Sequence, residues 1–332
     1  MTVPLAVTMG DPAGCGPIIT AAAWRALKDG ARHFYVVGAP ELYDHQIPVK
    51  VISAPEGARA CFSTALPVLP THAECPAVTP GTPSLASAAA IVESIETATA
   101  QALSGEAGGV VTNPISKALL YETGFAHPGH TEFLAALCAE ATGKRLRPVM
   151  MLVGGGLKVA LATIHMPLMD VRAALTKDSL IEIAEIVHTA MRRDFALAAP
   201  RLAYTGLNPH AGEDGTIGRE EVDIINPAAA ALRANGVTIS DARPADTVFH
   251  EARSGAFDAV IAMTHDQGLI PVKTLDIWGG VNTTLGLPII RTSPDHGTAY
   301  EAAASGAARP DSLIAAIKLA GNMAAARVEA HA

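Results

Sequence analysis

The sequence has few aromatic residues, few cysteines and no run of basic residues. Aromatic residues make up 4% of the 332 positions, although hydrophobic residues make up 49%. The core must therefore consist of Ala, Val, Leu and Ile, which is typical of helices packed on a parallel sheet. The cysteines show no Cys-x-x-Cys spacing, which gives no support to a thiolate zinc site or a disulfide framework. We expect buried or incidental thiols at Cys15, Cys61, Cys75 and Cys138.

The distribution of charge and hydropathy argues against two classes of partner. The formal net charge is −8 at pH 7, without a Lys/Arg run, so a nucleic-acid partner is not expected. The apolar stretches are too short or too interrupted to span a bilayer. The first residues, Met-Thr-Val-Pro-Leu-Ala-Val-Thr, lack the basic start and continuous apolar segment of a signal peptide. We therefore expect a cytoplasmic protein without a membrane partner.

Segments typical of strands and of helices alternate along the chain. This alternation predicts an α/β fold with a mostly parallel sheet. The segment 61–83 is rich in proline, and we expect it to be irregular. Thr131 is the expected N-cap of its helix, and Gly154-Gly155-Gly156 is expected to close a hairpin. The predicted strands are 4–9, 33–37, 109–112, 149–153 and 157–164, and the predicted helices are 18–28, 84–102, 131–141, 178–193, 220–234 and 311–326.

Three histidines each follow an apolar run that is predicted to be a strand. They are His165, His210 and His265, and we expect each to precede a loop. Ligands of α/β proteins bind at the carboxyl ends of strands. Three imidazoles that converge there would hold a divalent metal with open positions for substrate oxygens. A single loop histidine is more often a capping or surface residue, so the spacing alone leaves both interpretations open.

Gly14-Cys15-Gly16 follows the first predicted strand, as in a dinucleotide-binding fingerprint. The third glycine of that fingerprint is replaced by Ile19, and Pro17 removes a backbone amide. We therefore interpret the segment as a tight turn between a strand and a helix.

Polar residues near the predicted strand ends are suited to an anionic substrate. Lys273, Asn282 and Arg291 lie among glycines and threonines, although surface cations would give the same pattern. Gly129-His130-Thr131-Glu132 precedes a helix, and a helix N-terminus attracts anions. Asp295-His296-Gly297-Thr298-Ala299 follows a strand that we expect to end near Arg291, and it opens a further helix. Gly297 permits a close backbone approach there, and Thr298 either caps the helix or contacts a ligand.

Several of these segments occur together in one known family. They are Gly-His-Thr-Glu-Phe-Leu (129–134), Val-Ala-Leu-Ala-Thr-Ile-His (159–165), Gly-Leu-Asn-Pro-His-Ala-Gly-Glu (206–213), His-Asp-Gln-Gly-Leu (265–269), Val-Asn-Thr-Thr-Leu-Gly-Leu-Pro (281–288) and Ile-Arg-Thr-Ser-Pro-Asp-His-Gly-Thr-Ala (290–299). Through these segments the chain resembles, from Gly10 to the C-terminal helix, the 4-hydroxythreonine-4-phosphate dehydrogenase family of pyridoxal phosphate biosynthesis.

The resemblance implies a fold like that of isocitrate and isopropylmalate dehydrogenases, with two α/β domains and a cleft between them. The expected domains are 1–125 plus 292–332, and 126–291, the second of which carries the metal ligands and the dimer interface. It also implies a homodimer with the active site at the subunit interface.

The resemblance further assigns roles to individual residues. His165 and His210 are implied as metal ligands from one subunit, together with His265 of the partner subunit. Lys273 or Asp246 is the expected acid or base. The implied substrate contacts are His130, Thr131, Lys273, Asn282 and Arg291, and the implied cofactor-binding residues are Asp295, Gly297 and Thr298.

The implied reaction is the metal- and NAD(P)-dependent oxidation of 4-phosphohydroxy-L-threonine, a small anionic hydroxy acid, followed by decarboxylation. Zn, Co, Ni, Mn and Mg all remain open, as do NAD and NADP. Cys15, Ile18 and Thr264 depart from the Ile, Glu and Tyr that are usual in the family, which leaves alternative substrates open. These are 4-phospho-D-threonate or -erythronate, and an aromatic cis-dihydrodiol carboxylate such as that from terephthalate. A catalytically silent metabolite-binding relative would have lost a metal ligand or Lys273, and neither is lost.

Overall fold

The computed structural model describes residues 3–127 and 129–330. Eleven strands are found in this part of the chain. They are β1 (Leu5–Thr8), β2 (Phe34–Val37), β3 (Val49–Val51), β4 (Leu66–Leu69), β5 (Val110–Val111), β6 (Val149–Gly154), β7 (Leu157–Leu161), β8 (Leu202–Tyr204), β9 (Ala259–Ala262), β10 (Val281–Leu285) and β11 (Arg291–Pro294).

Helices separate most of the strands. They are α1 (Gly16–Leu27), α2 (Ala58–Cys61), α3 (Ala88–Ser104), α4 (Lys117–Glu122), α5 (His130–Thr142), α6 (Leu168–Ala174), α7 (Lys177–Arg193), α8 (Asn226–Ala234), α9 (Val248–Arg253), α10 (His265–Leu275), α11 (Tyr300–Ser305) and α12 (Asp311–Ala330). A π-helical turn, Glu221–Ile225, leads directly into α8. None of the described helices is both long and apolar enough to cross a membrane.

The chain divides into two compact units. The first comprises Met1–Pro148 and Leu287–Val328. Its strands run in the order β3-β4-β2-β1-β5-β11, and all neighbouring pairs are parallel. Because β1 and β2 are buried along their whole length, both read as continuous apolar runs, as is usual in a parallel sheet.

The second unit consists mainly of Val149–Gly286. Its strands run in the order β10-β6-β7-β9-β8, in which the pairs β10–β6 and β6–β7 are antiparallel and the pairs β7–β9 and β9–β8 are parallel. The core between α7, α8 and the sheet is formed by aliphatic side chains around Met151 and Tyr204. The carboxyl ends of β7, β9 and β8 therefore lie side by side at one edge of this unit.

The predicted α/β class is confirmed, and several local predictions agree with the structure. β6 and β7 form the expected hairpin, with Gly155 and Gly156 at positive φ. The turn at Gly14-Cys15-Gly16 is also confirmed, because it lies between β1 and α1, which begins at Gly16. The domain boundaries at residues 126 and 291 stay a prediction.

Four local predictions were wrong. The segment 61–83 contains β4, a strand paired on both sides. β11 begins rather than ends at Arg291. The N-cap of α5 is Gly129, so Thr131 is already helical. His265 is the first residue of α10 instead of preceding a loop, because Thr264 takes the extended conformation of an N-cap.

Candidate active site

Two of the three strand-end histidines lie together in the second unit. His165 follows β7 and His265 follows β9, its parallel neighbour. The centroids of their rings are 5.5 Å apart. Nδ1 of His265 lies 2.8 Å from Oδ1 of Asp266. A carboxylate on one ring nitrogen is the usual companion of a metal-binding histidine, since it orients the ring and leaves the other nitrogen for the metal.

The spacing of this pair fits a divalent metal. Metal–nitrogen distances of about 2.0–2.1 Å in a tetrahedral site put the centroids of two imidazole ligands about 5 Å apart. No group of three or more His, Cys, Asp or Glu side chains that could hold a metal occurs within 3–127 and 129–330. The structure therefore brings together His165 and His265 of one chain but does not gather His210 with them. The division of the ligands between two subunits stays a prediction.

A hydrogen-bond network behind the histidines connects the ends of all three strands. The amide of Gln267 accepts from the hydroxyl of Thr205 at 2.6 Å and from the backbone N–H of Met263 at 2.9 Å. Its Nε2 donates to the carbonyl of Gly206 at 2.8 Å. The hydroxyl of Thr163, on the loop that leads to His165, donates to the carbonyl of Met263 at 2.6 Å. These bonds fix the loops that carry the histidines relative to one another.

The segment that carries His210 has an unusual backbone. Residues 210–214 all have positive φ, between 41° and 78°, and only Gly212 among them is a glycine. Left-handed conformations cost about 1–2 kcal/mol for each residue with a Cβ. The surrounding structure must therefore hold this loop in place, and strain of this kind is concentrated at functional sites.

Lys273 lies on the same face of α10 as His265, two turns further along the helix. A cavity of about 450 Å³ is lined by both residues and by Asp266, Leu269, Ile270 and Thr274. Residues four apart on a helix share a face, which explains why His265, Leu269 and Lys273 line one wall. Asp246, the other expected acid or base, lies in the exposed turn before α9, and Asn282 lies half-buried on β10.

The first unit contains a buried cationic group at the N-terminus of α5. Arg291, at the start of β11, is 3% exposed and donates to the hydroxyl of Thr112 at 2.8 Å. Burial lowers the pKa of Arg291 to about 10, which leaves the guanidinium charged at neutral pH, and nearby Glu132 opposes this shift. Burial and the charges of Arg291 and Lys117 hold the pKa of His130 well below its usual value, so this ring is neutral.

This arrangement is suited to an anion. Nε2 of His130 is buried and has no hydrogen-bond partner among the described residues. A ligand or an ordered water would satisfy a buried polar atom of this kind. The charge of Arg291 and the dipole of α5 both favour a negatively charged ligand. Thr131 lies half-buried in the first turn of α5.

Lys117 belongs to this group and was missed at the sequence level. A Cβ on Gly129 would lie 3.0 Å from Cε and 3.1 Å from Nζ of Lys117, so the end of the lysine side chain lies against the start of α5. The signal that could have identified it is its position shortly after β5, at a strand end of the kind that drew attention to the histidines.

The loop 295–299 contacts the turn that follows β1. The backbone N–H of Cys15 donates to the carbonyl of Thr298 at 2.8 Å, and the hydroxyl of Tyr300 donates to Asp11 at 2.5 Å. The backbone N–H of Asp295 donates to Ser312 at 3.1 Å. A Cβ at Gly297 would meet no atom within 4 Å, so the backbone there is open to a ligand.

Comparison with known proteins extends over nearly the whole chain. The model of the family described as pyridoxal phosphate biosynthetic protein PdxA matches residues 15–320. The 4-hydroxythreonine-4-phosphate dehydrogenase of Caulobacter vibrioides is 52% identical over 328 residues, 98% of both chains. The crystal structure of the 4-hydroxythreonine-4-phosphate dehydrogenase from Klebsiella pneumoniae has a TM-score of 0.87 and 37% identity over 98% of both chains. A terephthalate 1,2-cis-dihydrodiol dehydrogenase from Burkholderia xenovorans has a TM-score of 0.69 and 27% identity over 97% of this chain and 98% of its own.

Similarity of this extent defines the chain as an oxidoreductase that acts on a CH–OH group. The chain belongs to the PdxA family of pyridoxal phosphate biosynthetic proteins. The family predicted from the sequence motifs is thus confirmed.

Proposed function

We propose that the protein oxidises 4-phosphohydroxy-L-threonine in a metal- and NAD(P)-dependent reaction that is followed by decarboxylation. The observation that carries this proposal is the 52% identity, over 98% of both chains, to a relative named 4-hydroxythreonine-4-phosphate dehydrogenase. A pathway of this kind operates on soluble metabolites, and we propose that the protein acts in the cytoplasm.

Residues of the first unit are suited to binding the phosphate of the substrate. Arg291, His130 and Thr131 would bind the phosphate, with Lys117 adding a further positive charge. The neutral ring of His130 can donate an N–H to a phosphate oxygen without adding a second buried charge. Asn282 would contribute a polar contact to the remainder of the substrate.

His165, His210 and His265 are the proposed metal ligands. A divalent metal bound to them supplies Lewis-acid chemistry, which favours ionisation of a hydroxyl group and polarises a carbonyl. Histidine nitrogens are suited to Zn, Co or Ni, and substrate oxygens that complete the shell extend the choice to Mn and Mg.

Lys273 is the stronger candidate for proton transfer, because it lines the same cavity as His265. Asp246 is the alternative, from the exposed turn before α9. NAD or NADP supplies the hydride acceptor, and we propose that it binds along Asp295, Gly297 and Thr298, where the backbone is open.

We propose that the active unit is a homodimer that completes the metal site across its interface. The second unit exposes large apolar side chains, with 73% of Leu168, 88% of Met169 and 63% of Ile270 accessible. Ile270 lines the same cavity as His265, so a partner that covers this apolar surface would approach the histidines.

A second substrate class deserves a direct comparison, because a structural relative named terephthalate 1,2-cis-dihydrodiol dehydrogenase shares 27% identity. The phosphorylated substrate is favoured by the higher identity to the relatives named 4-hydroxythreonine-4-phosphate dehydrogenase and by the buried cationic group around Arg291. 4-Phospho-D-threonate and -erythronate carry the same phosphate and are tested alongside it.

The test is NAD(P) reduction by the metal-loaded protein with each candidate substrate. We expect turnover of 4-phosphohydroxy-L-threonine to exceed that of the others by at least tenfold in kcat/KM, and no turnover in His210→Ala. If the partner subunit supplies His265, mixed dimers of the inactive His165→Ala and His265→Ala variants are expected to recover part of the activity. No recovery would show that His165 and His265 of one chain hold the same metal. Turnover of the dihydrodiol alone, or full activity of His210→Ala, would contradict the proposal.

A further inference from the structure

Glu221 has a buried carboxylate that accepts hydrogen bonds from the loop before His210. The residue is 1% exposed and lies at the start of the π-helical turn that precedes α8. Its Oε1 accepts hydrogen bonds from the backbone N–H groups of Leu207 and Asn208, both at 2.8 Å. Its Oε2 accepts from Nδ2 of Asn208 at 2.9 Å. Three donors from two consecutive residues therefore converge on one carboxylate.

Two glycines leave the space that this carboxylate occupies. A Cβ at Gly206 would lie 3.1 Å from Oε1 of Glu221, and a Cβ at Gly212 would lie 2.6 Å from Oε2. The carboxylate thus touches the backbone on both sides of His210. Gly212 is also in the middle of the left-handed run 210–214, so the strained part of the loop is folded directly over Glu221.

A loop of this kind needs an external restraint. Four residues with a Cβ, including His210 itself, adopt positive φ, and His210 is exposed on the outside of the turn. The few backbone bonds within the turn include Ala211 to Asn208 at 3.1 Å and Ile217 to Gly212 at 3.1 Å. The charge-assisted bonds to Glu221 are shorter, and bonds of this type are about twice as strong as neutral ones.

We propose that Glu221 is a positioning residue, which holds the left-handed loop 210–214 in the conformation that presents the imidazole of His210 to the metal. This role requires no contact between Glu221 and the metal or the substrate. It acts through the backbone of Leu207 and Asn208 and through its contact with Gly212. This proposal rests on the proposed role of His210 as a ligand.

The test is the Co²⁺ affinity of the full-length protein, measured by competition with a chelator, together with the visible spectrum of the bound Co²⁺. In Glu221→Gln one carboxylate oxygen is replaced by an NH₂ group, which donates and cannot accept. At least one of the three hydrogen bonds from Leu207 and Asn208 is therefore lost. We expect the Kd for Co²⁺ to rise about 10- to 100-fold, as for other groups that support metal ligands. We also expect the spectrum to change and amide exchange over residues 206–215 to accelerate without metal.

Asp194→Asn is the matched control, because Asp194 is also a buried carboxylate of the second unit, 2% exposed, and it pairs with Arg193 rather than with the loop. We expect its Co²⁺ affinity to equal that of the wild type. If Glu221→Gln does not fold, Asn208→Ala removes one of the three bonds to Glu221, together with the bond from the same amide to Glu220 at 2.8 Å, and is expected to raise the Kd by a smaller factor.

The outcomes separate this inference from the proposed function. Tight Co²⁺ binding that is lost in His210→Ala but unchanged in Glu221→Gln would overturn the role of Glu221 and leave the ligand set standing. Equal losses of affinity in Glu221→Gln and Asp194→Asn would also overturn it. A wild-type protein that binds no Co²⁺, or a His210→Ala variant that binds it as tightly, would overturn both.

Discussion

Gln267→Leu is expected to destabilise the second unit, because Gln267 makes three hydrogen bonds at the ends of β8 and β9. Loss of the side chain leaves the carbonyl of Gly206 and the hydroxyl proton of Thr205 without their partners. The backbone N–H of Met263 keeps a second acceptor, the hydroxyl oxygen of Thr205, at 3.1 Å. Thr205 and Gly206 are both buried, so two unsatisfied groups at about 1–3 kcal/mol each give a loss of about 2–6 kcal/mol.

Urea unfolding followed by circular dichroism measures this loss, and amide exchange shows whether it falls on residues 149–286. Gln46→Leu is the matched control, because the half-buried side chain of Gln46 makes a single long bond, 3.3 Å, to the carbonyl of Leu42. Its cost is expected to stay below about 1 kcal/mol. A loss below about 0.5 kcal/mol in Gln267→Leu would refute the argument that this network fixes the histidine loops.

Gln267→Glu tests the same bonds by pH. One carboxylate oxygen keeps the bonds to Thr205 and Met263, but the other faces the carbonyl of Gly206, and two acceptors repel. Protonation restores the donor, so the folded protein binds a proton more tightly than the unfolded chain, whose glutamate titrates near about 4.3. The deficit relative to the wild type should therefore shrink as the pH falls from 7 towards 5. A deficit independent of pH would contradict this.

Two further predictions concern the first unit and are checked by urea unfolding. Burial and the charge of Arg291 lower the pKa of His130, so the unfolded chain binds a proton at this residue more readily than the folded protein. The free energy of unfolding should therefore fall as the pH drops below about 6.5. In His130→Gln the free energy of unfolding should fall less steeply with pH, and a slope equal to that of the wild type would refute this. Gly10→Ala should cost more than Gly105→Ala. Both glycines have positive φ, but a Cβ at Gly10 would lie 2.6 Å from Cβ of Asn113, whereas at Gly105 it meets nothing. The control should lose only the about 1–2 kcal/mol of the left-handed backbone, and equal losses would show that the contact relaxes.

Much of the fold was predictable, because buried parallel strands and amphipathic helices leave separate patterns in the sequence. β4 was missed for a physical reason. Pro67 lies within it and lacks an N–H for the ladder, so the Leu-Pro-Val-Leu run resembles a loop. The N-cap of α5 was assigned to Thr131 because Thr is a good cap, whereas the helix begins one residue earlier, at His130, and its N-cap is Gly129.

The candidate site was predictable only in part. The histidines could be found because they follow apolar strands, and the family motifs then gave them roles. Gln267 and Glu221 could not be found this way, because their function lies in hydrogen bonds to other segments, 62 and 61 residues away for Gln267 and 14 and 13 residues away for Glu221. Gln267 reaches back to Thr205 and Gly206, and a glutamine or glutamate in the sequence carries no sign of which backbone groups it will meet.

The strand order explains why two histidines meet and the third does not. Neighbouring strands lie about 4.8 Å apart. β7 and β9 are neighbours, so the strand spacing alone brings the residues that follow them, His165 and His265, together. Their ring centroids are 5.5 Å apart. β8 lies on the far side of β9, about 10 Å from β7 by the same spacing. A histidine that follows β8 reaches a metal held at β7 and β9 only if its loop turns back across β9, or if a second subunit supplies the other ligands. The position of His210 therefore depends on its loop more than that of either other histidine, and this is the loop with the strained backbone and the buried carboxylate beneath it.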